Sequence, residues 1–176
     1  MTLRDFIRDE SGSPAAEFVL SLPMILPLIF VAMEAGNFFW SQQKLVESVR
    51  NGARYAARID YSQMCSPSGG SYAPIATALE TKIKNLTRTG NTAGTGPAEL
   101  PGWTNAQVTV SVDCTGFVST GIFDSLGNDT AGNARTGAVV TVAAPAVPYF
   151  SILGTLGVIN STYHLAAESH APVIGV

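Results

Sequence analysis

Charged side chains are scarce in this sequence, which has 10 Lys and Arg and 13 Asp and Glu among 176 residues. The formal net charge of -3 argues against a protein held to nucleic acid by counterion release, because such binding needs a broad basic surface. Histidine is rare too: neither His164 nor His170 has a Cys or acidic neighbour at a recognised metal spacing. We therefore expect no nucleic-acid partner, no metal site and no cofactor.

A recognisable catalytic constellation is also missing. Serine and threonine are abundant, but none lies in a nucleophile elbow or a Gly-rich phosphate-binding motif. The oxygen-bearing side chains between Asp124 and Asn133 do not have the spacing of a calcium loop. We expect a structural or binding protein and no enzyme.

Cysteine occurs only at Cys65 and Cys114, in a region rich in Gly, Ser, Thr and Asn. An oxidising compartment would let the two cysteines pair. A disulfide that closes a loop of about 50 residues stabilises a small domain by roughly 2 to 4 kcal/mol. Two unpaired thiols are the alternative, since two cysteines alone are a weak signal.

Long apolar runs are limited to one. No charged side chain occurs from Phe18 to Met33. At ~1.5 Å per residue that stretch spans roughly 24 Å, which is less than a hydrocarbon core of about 30 Å. We therefore predict a single transmembrane segment over about residues 14–40, with Glu17 near one membrane face and Glu34 near the other. The aromatic belt expected at its end consists of Phe38, Phe39 and Trp40.

Proline and helical periodicity define a longer helix around this segment. Pro14 suits the first helical turn, with Ser13 placed to cap it. Pro23 and Pro27 each remove a backbone hydrogen bond, so a kink or local distortion is expected. Apolar and small residues continue at helical spacing beyond the membrane, so we predict one helix over residues 13–58.

Small residues mark one face of that helix. Ala32 and Gly36 are four residues apart in the membrane segment, and Gly52, Ala53 and Ala56 extend the face beyond it. Such residues permit the close approach of another helix. Packing against the protein's own head domain is the equally weighted alternative.

The remaining residues, 59–176, predict a small head domain. Apolar residues from Ile75 to Leu86 recur at helical spacing and indicate one amphipathic helix that ends before Gly90. Alternation over 108–114, a buried run over 138–144 that is broken by Pro145 and Pro148, and a last segment over 163–170 indicate three strands. Short strands joined by local turns favour an antiparallel sheet. The predicted fold class is α+β, with a long transmembrane helix that continues into a small antiparallel-sheet domain with one packed helix.

The two indications of membrane orientation conflict. Basic residues follow the apolar run, namely Lys44, Arg50, Arg54 and Arg58, and the positive-inside rule would place them in the cytoplasm. Pairing of Cys65 with Cys114 instead requires an oxidising compartment around the head. We adopt a cytoplasmic N-terminus and an external head.

Two motifs carry a resemblance to a known family. Gly12, four residues and then Glu17-Phe18 match the prepilin-peptidase recognition pattern of the Tad (Flp) branch of bacterial type IV pili. Residues 49–57, which read Val-Arg-Asn-Gly-Ala-Arg-Tyr-Ala-Ala, look like a signature helix end. Over about its first third, the sequence resembles the TadE-like pseudopilins.

The resemblance implies processing and assembly roles. An aspartic prepilin peptidase would cut after Gly12, which removes residues 1–12 as a leader and makes Ser13 the mature N-terminus. Glu17 and Phe18 would then serve assembly, because a carboxylate near the bilayer edge is best tolerated beside a cation such as the new N-terminal amine of a neighbouring subunit. The implied partners are other pilin and pseudopilin subunits, the prepilin peptidase, an inner-membrane pilus assembly platform and membrane lipid.

The function expected from the resemblance is that of a minor pseudopilin of a Tad/Flp-type pilus, which takes part in assembly or adhesion. The family's major pilins have little beyond the helix, whereas residues 59–176 follow it here. The expected location is the bacterial inner membrane with an external head, and after assembly the extracellular pilus. A membrane-anchored envelope binding module that enters no filament is the alternative, and leader cleavage distinguishes the two.

Overall fold

A computed structural model of the protein describes residues 13–65, 75–118, 136–158 and 163–174. The elements in chain order are α1 (Ser13–Ala57), α2 (Tyr61–Met64), α3 (Thr77–Thr89), a 3-10 turn (Asn105–Gln107), β1 (Thr109–Val118), β2 (Thr136–Pro148), α4 (Ile152–Thr155) and β3 (His164–Pro172). The chain divides into two compact units. The first contains α1 up to Phe38 together with the segment that begins at Ser151 and includes α4; the second contains the rest of α1, the sheet and the other helices.

Helix α1 has 45 residues and agrees closely with the predicted helix over 13–58. It passes through Pro23 and Pro27 without ending. An 18-residue window in this helix has a mean hydropathy of 2.1, and none of that window is buried. Its length and composition therefore suit a membrane span, and the protein is membrane-anchored with a head domain.

The sheet is antiparallel in the order β1-β2-β3. Val112 lies opposite Val140 in the first pair of strands, and Val142 lies opposite Ser169 in the second. The predicted end of the second strand at Pro145 is wrong, because β2 continues to Pro148. The pairing with β3 shifts between Ala144 and Val147, and such an irregularity accommodates a proline that has no N–H to donate.

The core of the second unit lies between the sheet and the second part of α1. Alternate residues of β2 are buried, as the strand period requires: Ala138, Val140, Val142 and Ala144. In the same cluster α1 contributes buried residues at helical spacing, which are Leu45, Val49, Ala53 and Ala56. Helix α3 adds Ile83. After the membrane segment, α1 is therefore the central helix of an α+β head, and the predicted fold class is confirmed.

The ends of the short helices have clear local causes. The Asp60 carboxylate accepts a hydrogen bond of 2.8 Å from the backbone N–H of Ser62 at the start of α2, and this bond holds the pKa of Asp60 below its usual value. Gly90 ends α3 at φ 69°, a left-handed conformation that glycine adopts without steric cost.

Cys65 and Cys114 form a disulfide across a sequence separation of 49 residues. Both side chains are buried, and the bond connects the end of α2 to β1. Of the two states that the sequence left open, the structure contains the paired one.

The double variant Cys65→Ser, Cys114→Ser is expected to lower the free energy of unfolding by roughly 2 to 4 kcal/mol, because the bond restricts a long loop in the unfolded chain. Urea titration of the full chain in detergent, followed by circular dichroism, measures this change. Reduced wild-type protein is the matched control and should unfold at the same urea concentration as the double variant. A wild-type midpoint that a reductant does not move would contradict the prediction.

Candidate functional site

The first candidate site is the start of α1. Gly12 lies outside the described residues, and Ser13, the first described residue, is helical. The sequence predicted Ser13 as the cap before the first turn, whereas in the structure Ser13 is itself helical. Cleavage after Gly12 would leave a chain whose mature N-terminus is also the beginning of the helix.

Glu17 and Phe18 lie on the exposed surface of this helix, and Phe18 is 61% exposed. The first turn of α1 contains no acidic residue, so Glu17 lies beyond it. Interaction with a helix terminus falls off within the first turn. An acidic residue near a helix start is often explained by its attraction to the positive end of the helix dipole. Glu17 lies too far along α1 for this explanation to fit well. The carboxylate lies among exposed apolar side chains, including Val19 and Leu20.

The face of small residues divides into two parts with different surroundings. Gly52, Ala53 and Ala56 are buried within the second unit, where a Cβ added to Gly52 would overlap Thr87 Oγ1 of α3. For these three residues the structure shows packing against the protein's own head. Ala32 and Gly36 are exposed, and no atom lies within 4 Å of a Cβ added to Gly36. Only this part of the face is open to a second helix.

Polar contacts attach α1 to the head near the end of the membrane segment. Lys44 Nζ lies 2.9 Å from Glu99 Oε2 and 5.9 Å from the centre of the Trp40 ring. The hydrogen bond to Glu99 raises the pKa of Lys44. Gln42 Nε2 donates to the Ala166 carbonyl oxygen at 2.9 Å. Lys44 therefore belongs to a partly exposed ion pair within the head, whereas the other basic residues that follow the apolar run, Arg50, Arg54 and Arg58, are exposed.

His164 and His170, for which the sequence predicted no metal site, lie on β3, and both are exposed. His170 Nδ1 is 2.8 Å from Thr141 Oγ1, and its Nε2 is 3.4 Å from Glu168. Within the described ranges, no three His, Cys, Asp or Glu side chains come together as a metal site would require.

One contact of the membrane helix was not predicted. Glu34 accepts a hydrogen bond of 3.0 Å from the backbone N–H of Leu153, in the short helix α4. These residues are 119 positions apart in the chain. Two sequence features could have indicated that this segment meets the membrane helix. Residues 136–167 contain no Asp, Glu, Lys or Arg, and α4 and the residues after it include the apolar side chains Ile152, Leu153, Leu156 and Val158.

These features define a membrane-anchored α+β protein in which one N-terminal helix serves as the membrane segment and as the central helix of a head. A family model described as TadE-like protein matches residues 12–54. The match contains the whole predicted membrane segment, Glu17 and most of the signature helix end, and it confirms the resemblance to TadE-like proteins. It ends within α1, before the sheet and the other helices of the head. Comparison with curated proteins and with solved structures finds no match.

Proposed function

We propose that the protein is a minor pseudopilin of a bacterial Tad/Flp-type pilus, inserted in the inner membrane through α1 and active in pilus assembly or adhesion. The observation that carries this proposal is that one helix, α1, is both the membrane segment and part of the core of the head. Its exposed apolar part suits a membrane, and its buried part supports the head, all within or directly beside the matched residues 12–54. An association with Tad pili follows from the family match, and the finer role rests on the residues discussed next.

The N-terminal residues support processing by a prepilin peptidase. The recognition pattern runs from Gly12 to Phe18, and its described residues, from Ser13 onward, are helical. Glu17 lies beyond the first turn on a surface of apolar side chains. An ionisable residue in such a position requires a partner of opposite charge. The free amine of a neighbouring processed subunit supplies one, so cleavage and assembly are coupled.

The head domain supports the proposal that the protein is a minor pilus subunit with a structural role. Residues beyond 54 lie outside the family match; together with the second part of α1 they form a folded domain with a buried core and a disulfide. We propose that this domain presents the surface by which the protein differs from other subunits, and we assign it no catalytic activity. The proposed partners are other pilins and pseudopilins, the prepilin peptidase, the inner-membrane assembly platform and membrane lipid.

Processing is tested by the intact mass and N-terminal sequence of the protein from native membranes and from sheared surface material. We expect the mature chain to begin at Ser13 in both. Gly12→Trp should retain the leader, because a bulky side chain replaces the smallest residue at the cleaved bond. Gly36→Ala is the matched control and should be processed normally, since its surroundings are open.

An uncleaved wild-type chain would favour the alternative of a membrane-anchored envelope binding module outside any filament. Normal processing of Gly12→Trp would reject the assigned site.

A further inference from the structure

We infer that residues 151–158 form an apolar loop that inserts into the membrane interface beside α1, so that the protein contacts lipid twice. The loop and the membrane part of α1 belong to one compact unit. The described residues of the loop carry no charged side chain. This inference concerns the membrane contact alone and does not depend on entry into a pilus.

The depth of the loop follows from its contact with Glu34. The Leu153 N–H donates to Glu34 Oε2 at 3.0 Å, so the two residues lie at the same level. Glu34 precedes the aromatic residue Phe38 by four positions, which corresponds to about 6 Å along the helix axis. If Phe38 lies in the interfacial aromatic belt, Leu153 lies just below that belt, at the edge of the hydrocarbon.

The side chains of the loop suit this position. Leu156 and Val158 are 63% and 66% exposed. Large apolar residues of α1 near Glu34 are exposed as well, including Phe30 and Met33. The loop and the membrane segment, joined by the contact between Leu153 and Glu34, therefore both present exposed apolar side chains within one unit. Lipid hydrocarbon is the partner that fits both sets of side chains, because neither set needs a polar group in whatever covers it.

Most of the loop backbone suits a lipid environment, where an unpaired peptide group costs several kcal/mol. Every backbone N–H from Leu153 to Val158 has an acceptor within this unit. The acceptors are Glu34 Oε2 for Leu153, Ser151 Oγ for Gly154, and the carbonyl oxygens of Ser151, Ile152, Gly154 and Leu153 for Thr155, Leu156, Gly157 and Val158. The Thr155 hydroxyl donates to the Ile152 carbonyl. An ordinary surface loop has less need of six consecutive paired N–H groups, since water satisfies them.

Glu34 therefore acts as a positioning residue. The first N–H groups of a helix have no acceptor inside the helix. Glu34 accepts from one of them and Ser151 from the next, which removes two unpaired donors from the apolar surroundings. A carboxylate in the membrane segment is costly, and a role in holding the loop explains its place on α1.

The test is a depth measurement on the full-length protein in vesicles of phosphatidylethanolamine and phosphatidylglycerol. A nitroxide is attached at Leu156→Cys; the native cysteines are paired and do not react. Collision rates with oxygen and with a water-soluble nickel complex then report depth. Leu20→Cys, in the exposed membrane part of α1, is the lipid control, and Ala106→Cys, on the exposed 3-10 turn, is the water control.

We expect the label at residue 156 to have an oxygen-to-nickel ratio several-fold above that at residue 106 and nearer to that at residue 20. A ratio equal to that at residue 106 would overturn the inference. Spin–spin broadening that disappears on dilution with unlabelled protein would also overturn it, because the loop would then contact a second copy of the chain.

The role of Glu34 has its own pair of variants. Glu34→Ala removes the acceptor and should shift the label at residue 156 toward water. Glu34→Gln keeps an acceptor oxygen and should retain the depth of the unchanged protein. An unchanged depth in Glu34→Ala would reject the positioning role, whereas a shift in Glu34→Ala with retention in Glu34→Gln supports it.

Discussion

Glu17→Gln is expected to be cleaved after Gly12 like the wild type and yet to be almost absent from sheared filaments. Glutamine keeps the size and hydrogen-bonding capacity of the side chain but not the charge that would attract the N-terminal amine of a neighbouring subunit. A free-energy change of about 1.4 kcal/mol alters an equilibrium tenfold, so loss of an ion pair of that strength lowers incorporation about tenfold. The ratio of sheared to membrane-bound protein, at equal expression, measures the effect.

Glu47→Gln is the matched control for this variant. Glu47 is an exposed carboxylate on the same helix but outside the predicted membrane segment, so its replacement should leave the ratio unchanged. Normal incorporation of Glu17→Gln would reject the proposed pairing. Retention of the leader in Glu17→Gln would instead place the role of Glu17 in recognition by the peptidase.

The long helix and the sheet were accessible from the sequence because their signals are local. The predicted helix over 13–58 and the observed Ser13–Ala57 differ by one residue at the C-terminal end. Uncharged length defines the first part of α1, and apolar residues at helical spacing define the second. Strict alternation over 108–114 likewise placed β1, although the strand continues to Val118.

Features that depend on distant contacts were not accessible in this way. Pro145 indicates a strand end by itself, but β2 is the central strand and continues through a shift in its pairing with β3. Helix α4 has only four residues, and its first N–H groups are satisfied by Ser151 and by a residue 119 positions away. Neither feature produces a periodic pattern.

The candidate sites show the same division. The motif around Gly12 and Glu17 is contiguous, so the sequence alone identifies it. The small residues of α1 form one pattern in the sequence, but their roles differ because Thr87 of α3 packs against Gly52 whereas nothing in the described structure approaches Gly36. Only the tertiary fold separates a glycine needed for the core from one that is free to contact another helix.

Gly52→Leu is expected to destabilise the head by about 1 to 3 kcal/mol or more, because overpacking a well-filled core displaces its neighbours. A Cβ at residue 52 would already overlap Thr87 Oγ1 and lie 3.2 Å from Thr87 Cβ and 3.5 Å from Val142 Cγ1. Leucine is a good helix former, so helix propensity opposes the loss and does not cause it. Thermal and urea unfolding of the full chain in detergent, followed by near-ultraviolet circular dichroism, measure the change.

Two further variants attribute that loss to the contact between α1 and α3. Gly36→Leu makes the same change on the same helix in open surroundings; it keeps the gain in helix propensity without the overlap and should not lower the unfolding midpoint. In a double-mutant cycle, Thr87→Ala should reduce the destabilisation caused by Gly52→Ala, because it removes the oxygen that would overlap the added Cβ. Some destabilisation should remain, because Thr87 Cβ is also close and is kept in alanine. Thr87 Oγ1 bonds only to the Ile83 carbonyl within α3 among the described contacts, so its own removal should cost little. Equal stability of Gly52→Leu and Gly36→Leu would mean that α1 and α3 do not pack at residue 52. Independent effects of the changes at residues 52 and 87 would mean that the lost stability does not arise from the contact with Thr87.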